Sequence, residues 1–270
     1  MPDTNKSLML NLGCGTRTHE AWVNIDYSLK MTLKNLWFVR PFISKPNPVN
    51  YINHDLRYGI PFRDETADVV YASHVLEHLE RKQALPFVKE IHRVLKPNGI
   101  IRLVVPDLEK AVIAYIEALH ALRVDAGSQD KKDRYEWATI MLLDQMVRTE
   151  PGGEMIKWLR ERYESKFVQS LEGIFSEIAD HSSANGAKQR IKAYIVQLLR
   201  PKNPAKTGEL HRWMYDDISL EYLLTQSGFR GVQNMSHLSS CIPAWESYYL
   251  DNNRDSSPHQ PDSIWMEAIK

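Results

Sequence analysis

The sequence predicts an α/β fold: an open sheet of the parallel type, with helices on both faces, interrupted by a helical insertion. Three observations predict it. Short apolar runs alternate with helical patterns through the first half, which is the rhythm of parallel-sheet domains. The first three runs end on Gly13, Asp26 and Asp55, residue types that suit the ligand-bearing ends of strands. From Leu108 to about Lys206 the strand rhythm disappears, and it returns only near the C-terminus.

In chain order, Leu8–Leu12 reads as a strand closed by Gly13, Trp22–Ile25 as a second ending at Asp26, and Tyr51–His54 as a third ending at Asp55. Ala67–Ala72 is a fourth and leads directly into His74. Leu85, Val88, Ile91 and Leu95 form one stripe of a helix over Gln83–Lys96. Pro86 stands near its start, and Pro97-Asn98-Gly99 stops it. Ile100–Val105 is the fifth strand, ending at Pro106-Asp107. The span that follows reads as several helices, broken at 125–132, 150–153 and 181–186 and ended by Pro201–Pro204. A helix over about Leu220–Gln226, stopped by Gly228, precedes strands at Phe229–Met235 and Ile264–Ile269. The expected organisation is a sheet domain over 1–107 and 207–270, with 108–206 inserted as a lid.

Composition excludes several classes. A chain of 270 residues buries a sizeable core without crosslinks. Its 34 Lys plus Arg balance 34 Asp plus Glu, and no long basic block occurs, so a nucleic-acid partner held by bulk charge is not expected. Cys14 and Cys241 lie far apart and read as free thiols of a cytoplasmic protein. No signal peptide is legible, nor any apolar run near the roughly 18–20 residues that span a bilayer.

Gly13-Cys14-Gly15 closes the first strand. Glycines there let the backbone approach a ligand, and the amides that follow can face an anion. A dinucleotide fingerprint needs a third glycine and an acid about 20 residues on. Thr18 replaces the glycine and Asp26 comes too soon, so a nicotinamide cofactor is disfavoured. What remains is a glycine loop after strand one and acids after strands two and three. Asp26 suits two ribose hydroxyls, and Asp55 an adenine amino group. Both acids serve equally well as helix caps or turn formers.

These residues resemble a known family. Leu10-Asn11-Leu12-Gly13-Cys14-Gly15, Asn24-Ile25-Asp26, His54-Asp55-Leu56, the run Asp68–Leu79 and Leu95-Lys96-Pro97-Asn98-Gly99 look like the Rossmann-like, class I S-adenosylmethionine-dependent methyltransferases. The similarity covers roughly 8–107 and returns over about 211–270. It implies a seven-stranded methyltransferase sheet with S-adenosylmethionine as cofactor. In that family the glycine loop supports the methionine end, here Asn11, Gly13, Cys14 and Gly15. The acid after strand two, Asp26, holds the ribose. Asp55 and Leu56 hold the adenine, Ser73 and His74 are further cofactor-binding positions, and His74 faces the transferred methyl. Thr16–Ala21 is much shorter than the usual first helix, a form similar to methyltransferases that act on sugars and polysaccharides.

His74-Val75-Leu76-Glu77-His78 also reads as H-x-x-E-H, an inverted zinc-hydrolase motif. On a helix, His74 and His78 would share a face and bind one metal, with Glu77 as base. Under the methyltransferase reading no metal is expected. A hydroxyl acceptor then needs a base, and a free imidazole, which titrates near about 6.5, suits that task. His74 is the first candidate, followed by Asp107 and His211; Glu77 and His78 pack or cap.

The insertion is amphipathic. Val112, Tyr115, Ile116 and Leu119 form one stripe, expected to be core, and Asp144 and Arg148 are spaced for a structural pair. Lys30–Lys45 is a basic amphipathic stretch that suits an anionic membrane surface at the inner face, the sheet, or a second subunit in a homodimer. In His211-Arg212-Trp213-Met214-Tyr215, Trp213 and Tyr215 suit stacking on a pyranose, and Arg212 bonding to it; an aromatic hinge is the alternative. The function expected is O-methylation of a sugar hydroxyl on a glycan or glycolipid precursor. The alternatives are a zinc-dependent hydrolase and a binding module that keeps the cofactor fold without catalysis.

Overall fold

A computed structural model of the chain describes residues 7–27, 49–162, 165–170 and 210–270. They divide into two compact units, one of Met1–Asp107 with Arg212–Lys270, the other of Leu108–His211. The described strands are β1 (Met9–Leu12), β2 (Val23–Asp26), β3 (Tyr51–Asn53), β4 (Ala67–Ser73), β5 (Leu95–Pro106), β6 (Arg230–Met235) and β7 (Ser263–Ile269). The described α-helices are α1 (Arg81–Val94), α2 (Leu108–Val124), α3 (Gln129–Val147), α4 (Gly153–Glu161), α5 (Lys166–Ser170) and α6 (Asp217–Gln226).

The first unit is built on one seven-stranded sheet in the order β3-β2-β1-β4-β5-β7-β6, an α/β Rossmann-like arrangement as expected. β1 to β5 run parallel, and β7 lies antiparallel between β5 and β6. The chain moves outward from β1 to β3 and then returns to β4, so the order reverses between β1 and β4. In open α/β sheets ligands bind at that reversal, beyond the carboxyl ends of the strands. β7 is antiparallel and its Ser263 pairs with Pro106, which brings the start of β7 to the same edge.

Period-two alternation builds both faces. Leu10, Leu12, Val70, Ala72, Ile101 and Leu103 join Val88 and Ile91 of α1 and Leu220 and Leu224 of α6 in the larger core. The Glu80 amide donates to Gln83 Oε1 at 3.0 Å, so α1 starts at Arg81, earlier than expected, and Pro86 falls in its second turn. Asp216 and Ser219 cap α6 reciprocally, at 2.7 and 3.1 Å. Pro97-Asn98-Gly99 does not divide helix from strand as expected. Leu95 already pairs with Ala67, and the register then shifts to Val69 against Ile100, so the turn bulges out of one long strand.

The opposite face buries Trp22, Val69, Tyr71, Val104 and Trp265 against Ile242, Trp245 and Leu250. Helices were expected here. Among the described residues the loop between β6 and β7 covers this face instead, with a 3-10 turn at Trp245–Tyr248. Residues 16–21 form only turns, too short for a first helix. The loop is fastened by Arg102, which is fully buried. Its guanidinium pairs with Asp251 at 2.7 Å and Glu267 at 2.7 Å, bonds the carbonyls of Ser236 and Ser239, and stacks 4.4 Å from the centre of Trp245. Tyr71 donates to Asp251 at 2.5 Å, and the Cys241 amide to Glu267 at 2.8 Å. Trp245 is therefore an anchor of the loop, while Tyr249 is exposed.

In the second unit α2 packs on α3, with Tyr115 and Tyr135 at 5.8 Å. Trp137, Trp158, Leu159, Phe167 and Val168 make a small core. The stripe expected to be core on α2 is not: no α2 residue is buried, and Ile113 and Ile116 are 46% and 44% exposed. Asp144 and Arg148 pair at 2.9 Å, and Asp144 also accepts from the Glu154 amide at 2.7 Å, which ties α3 to α4. The stretch Lys30–Lys45 and the expected helical span after 170, with its end at Pro201–Pro204, lie outside the described residues. No described helix is long and apolar enough to cross a membrane.

Candidate active site

The glycine loop is shaped by close approach. Gly13 has φ +64°, and a Cβ on it would stand 2.3 Å from Cγ2 of Val75. Only glycine accepts both constraints. Gly13→Ala is expected to lose roughly 1–3 kcal/mol from overpacking, with a further ~1–2 kcal/mol from the left-handed backbone. Thermal melts with and without S-adenosylhomocysteine check it: a variant as stable and as tight-binding as the parent refutes the constraint.

The amides of Gly13, Cys14 and Gly15 are all taken up by β2. Gly13 and Cys14 N–H donate to the Ile25 carbonyl at 2.8 and 3.2 Å, and Gly15 N–H donates to Asp26 Oδ2 at 2.7 Å. The reason is the missing helix, since without one there is no helix N-terminus to point amides at a ligand. Asn11 is likewise turned inward. Its buried amide donates to the Arg17 carbonyl at 2.8 Å and to Asn24 Oδ1 at 3.0 Å, so it braces the loop and does not reach a ligand. The Cys14 thiol is buried, and burial together with the Asp26 charge pushes it up to about 12. It is no nucleophile.

Asp26 ends β2 partly exposed, with Oδ1 accepting from the Tyr27 amide at 2.6 Å. Burial raises its pKa against the pull of the Gly15 and Tyr27 amides. Beside it, the open side of Gly15 meets no atom within 4 Å. Asp55 behaves as a turn former: it caps the 3-10 turn Leu56–Tyr58 and pairs with Arg57 at 2.6 Å, which lowers its pKa. Leu56 packs at the margin of the larger core.

β4 ends at Ser73, and the next residue has a backbone rarely seen outside glycine: His74 sits at φ +52°. Its amide is fixed by the Val104 carbonyl at 2.9 Å. Nδ1 lies 3.0 Å from Oε1 of Glu77, and Nε2 lies 3.0 Å from the hydroxyl of Ser263. Glu77 is fully buried, whereas a quarter of the His74 side chain is exposed (26%). A carboxylate only accepts, so the proton belongs on Nδ1, and Nε2 accepts from the serine hydroxyl. His78 Nε2 is 3.9 Å from the same Glu77 oxygen. The zinc-hydrolase reading required one helix face, but Leu76–His78 form a single 3-10 turn and Glu77 turns back onto His74. That reading loses its geometric premise.

The Arg212 and Trp213 amides both donate to the Glu77 carbonyl, at 2.6 and 3.2 Å, which docks this segment beside His74. Arg212 is exposed, and Trp213 carries the Arg81 guanidinium 4.6 Å from its ring centre. Tyr215 does not suit stacking on a sugar as expected. It is buried in the larger core, pairs along the chain with Asp107, and its phenol is raised to about 12 by burial and by Glu77. Asp107 follows β5 at the ligand edge, with its amide on the Asp262 carbonyl at 2.9 Å. His211 belongs to the helical unit, where its amide bonds the Gln145 carbonyl at 2.8 Å.

Sequence reasoning missed the partnership of Glu77 with His74, although the i,i+3 spacing was visible. It also missed Ser263, which is 189 residues from His74 and carries no local signal. Arg17 and His259 were missed too. They meet at 2.5 Å across 242 residues.

Comparison with known proteins gives a family model described as a methyltransferase domain, matched over residues 10–103. Residues 10–103 are therefore similar to a methyltransferase domain, for which S-adenosylmethionine is the cofactor implied. No curated protein matches it. Among solved structures, a SAM-dependent methyltransferase from Archaeoglobus fulgidus is similar over 98% of this chain and 87% of its own, at 14% identity and a TM-score of 0.42. An S-adenosylmethionine-dependent methyltransferase from Mesorhizobium loti is similar over 100% and 94%, at 12% identity and a TM-score of 0.42.

Proposed function

With a methyltransferase domain over residues 10–103 as premise, we propose that the chain methylates a hydroxyl group, that of a sugar on a glycan or glycolipid precursor, with His74 as the base. The observation that carries this reading is the placing of His74 between Ser263 and Glu77: Nε2 hydrogen-bonds Ser263 Oγ at 3.0 Å, and Nδ1 stands 3.0 Å from the buried Glu77 carboxylate, within ion-pair distance. Nε2 already holds a hydroxyl at the distance proton transfer requires. An acceptor hydroxyl in the place of Ser263 Oγ meets the same lone pair.

The residues fit the cofactor. Asp26 is partly exposed at the end of β2 and retains lone pairs for ribose hydroxyls beyond its two amide bonds. Gly15 leaves open space beside it, and Asp55 with Leu56 stands after β3 for the adenine. When bound, S-adenosylmethionine supplies a methyl group on a positively charged sulfur. The protein aligns the acceptor oxygen and excludes water, an arrangement worth up to about 7–11 kcal/mol of barrier. His74 Nε2 takes the hydroxyl proton as the oxygen turns nucleophilic, and Glu77 stabilises the imidazolium that results.

A sugar acceptor is supported by exposed Arg212 and by Trp213, both docked through their amides onto Glu77. The helical unit leaves the sheet chain directly after Asp107 and returns at Arg212, and we assign acceptor selection to it. Labelled methyl transfer from S-adenosylmethionine to a panel of neutral oligosaccharides, lipid-linked sugars, catechols and amines tests the proposal. Label on a sugar hydroxyl is expected. Label on an amine, or only on non-sugar hydroxyls, overturns it.

A further inference from the structure

Arg17 ends the glycine loop with an unusual set of partners. Its Nη2 lies 2.9 Å from Asn253 Oδ1 and 2.5 Å from His259 Nδ1, and Nη1 lies 3.5 Å from the Tyr249 carbonyl. All three acceptors are neutral, and among the described residues no carboxylate pairs with this guanidinium. They orient the fork without cancelling its charge. A guanidinium carries five N–H donors, so these contacts leave Nε–H and one hydrogen of Nη1 to spare. The side chain is partly exposed, at the edge where the strand ends collect.

His259 belongs to the same arrangement. Burial, then the charges of Arg17 and His74, hold its pKa down to about 4, so it is neutral near pH 7. Its Nδ1 accepts from Arg17, which leaves the ring proton on Nε2 as a donor. His259 lies in the loop that leads into Ser263, whose hydroxyl meets His74 Nε2 at 3.0 Å. The amides of Gly13, Cys14 and Gly15 are already bonded to β2, so those three do not serve an outside anion and the Arg17 side chain is the charged group offered here.

We propose that Arg17, with the remaining N–H of His259, forms an oxyanion site beside the base, which takes a carboxylate or phosphate group. This rests on the methyltransferase reading for its two sources, the carboxylate of the cofactor or an acidic group on the acceptor. The uncancelled charge of Arg17 and any one of its spare N–H groups suit either source, each of which offers a charged oxygen acceptor.

Calorimetry on the full chain tests it with three probes: S-adenosylhomocysteine, 5′-methylthioadenosine, which lacks the amino-acid end, and inorganic phosphate added to protein with and without S-adenosylhomocysteine. If the site takes the cofactor carboxylate, Arg17→Gln weakens S-adenosylhomocysteine at least about tenfold, the scale of a lost charge-assisted bond, and leaves methylthioadenosine unchanged. If it takes an acceptor group, Arg17→Gln leaves both nucleosides unchanged but loses the phosphate binding of the parent. Asn253→Ala loosens the same contact with the C-terminal loop but keeps the charge, and it retains anion binding under either source. The proposal is overturned if Arg17→Gln matches the parent with every probe. It is equally overturned if Asn253→Ala loses as much as Arg17→Gln, because Arg17 is then only a clamp. Should the parent bind neither nucleoside, the methyltransferase reading fails, and phosphate on the free protein still decides the Arg17 site.

Discussion

His74→Ala is expected to lower kcat for methyl transfer about 10²–10⁴-fold, the usual contribution of a positioned base, while the affinity for S-adenosylhomocysteine stays within about twofold. The expectation follows from the two contacts of the ring, an ion-pair contact at Nδ1 and a hydrogen bond at Nε2. Glu77 is buried and holds Nδ1, and Nε2 faces a hydroxyl, so the imidazole is fixed in tautomer and in orientation. The left-handed backbone at His74 complicates the alanine variant, because alanine tolerates φ +52° poorly. His74→Asn is the companion, since asparagine accepts that conformation and cannot serve as the base. Added imidazole is expected to restore part of the His74→Ala rate, which a purely structural histidine does not predict. Glu77→Gln keeps the shape but replaces an acceptor with a group that also donates, so it lowers kcat with little change in cofactor affinity. Full activity in both His74 variants removes the residue from its role and leaves Asp107 as the remaining candidate at that edge.

The largest effect on stability is expected from Arg102→Met, at about 3–5 kcal/mol, the range for breaking a buried pair by removing one partner. Asp251 and Glu267 then face each other through apolar volume without their cation, and the carbonyls of Ser236 and Ser239 lose their donors. A change of that size lowers the melting temperature by roughly 6–20 °C for a domain of this class. Replacing the whole network with apolar residues is a different experiment, because buried ion pairs often exchange for hydrophobic ones at little loss. A melt within about 2 °C of the parent shows that the loop over this face is held by its aromatic residues alone. Loss of the fastening also disturbs Arg17, whose partners Tyr249, Asn253 and His259 all come from the same loop.

The strands and the residues that end them were legible because they rest on local patterns. Alternating apolar residues in Ala67–Ser73 and a glycine after Leu12 are decided within a few residues, and a parallel sheet of this kind has few allowed topologies. The described cover of the second face was not legible, for the opposite reason. Among the described residues, what covers the face with Trp22 and Tyr71 is the far later loop around Ile242–Leu250, and its fastening through Arg102 carries no periodic signal. Pro97-Asn98-Gly99 reads as a stop, yet strand pairing of Leu95 with Ala67 outweighs that local preference.

The same division runs through the site. By itself the sequence determined which residues end the strands: Gly13, Asp26, Asp55, His74 and Asp107 are placed by local order. Their duties depended on neighbours distant in sequence. Burial made Asn11 a brace and Tyr215 a core residue, and Arg57 drew Asp55 into a turn. Ser263 reached His74, and His259 reached Arg17, only because β7 runs antiparallel beside β5 and the loop before it folds back over the sheet. Hydrogen bonding and burial are properties of packed neighbours, so a side chain's type is written in the sequence, while its partner, and with it its chemistry, is decided by the tertiary fold.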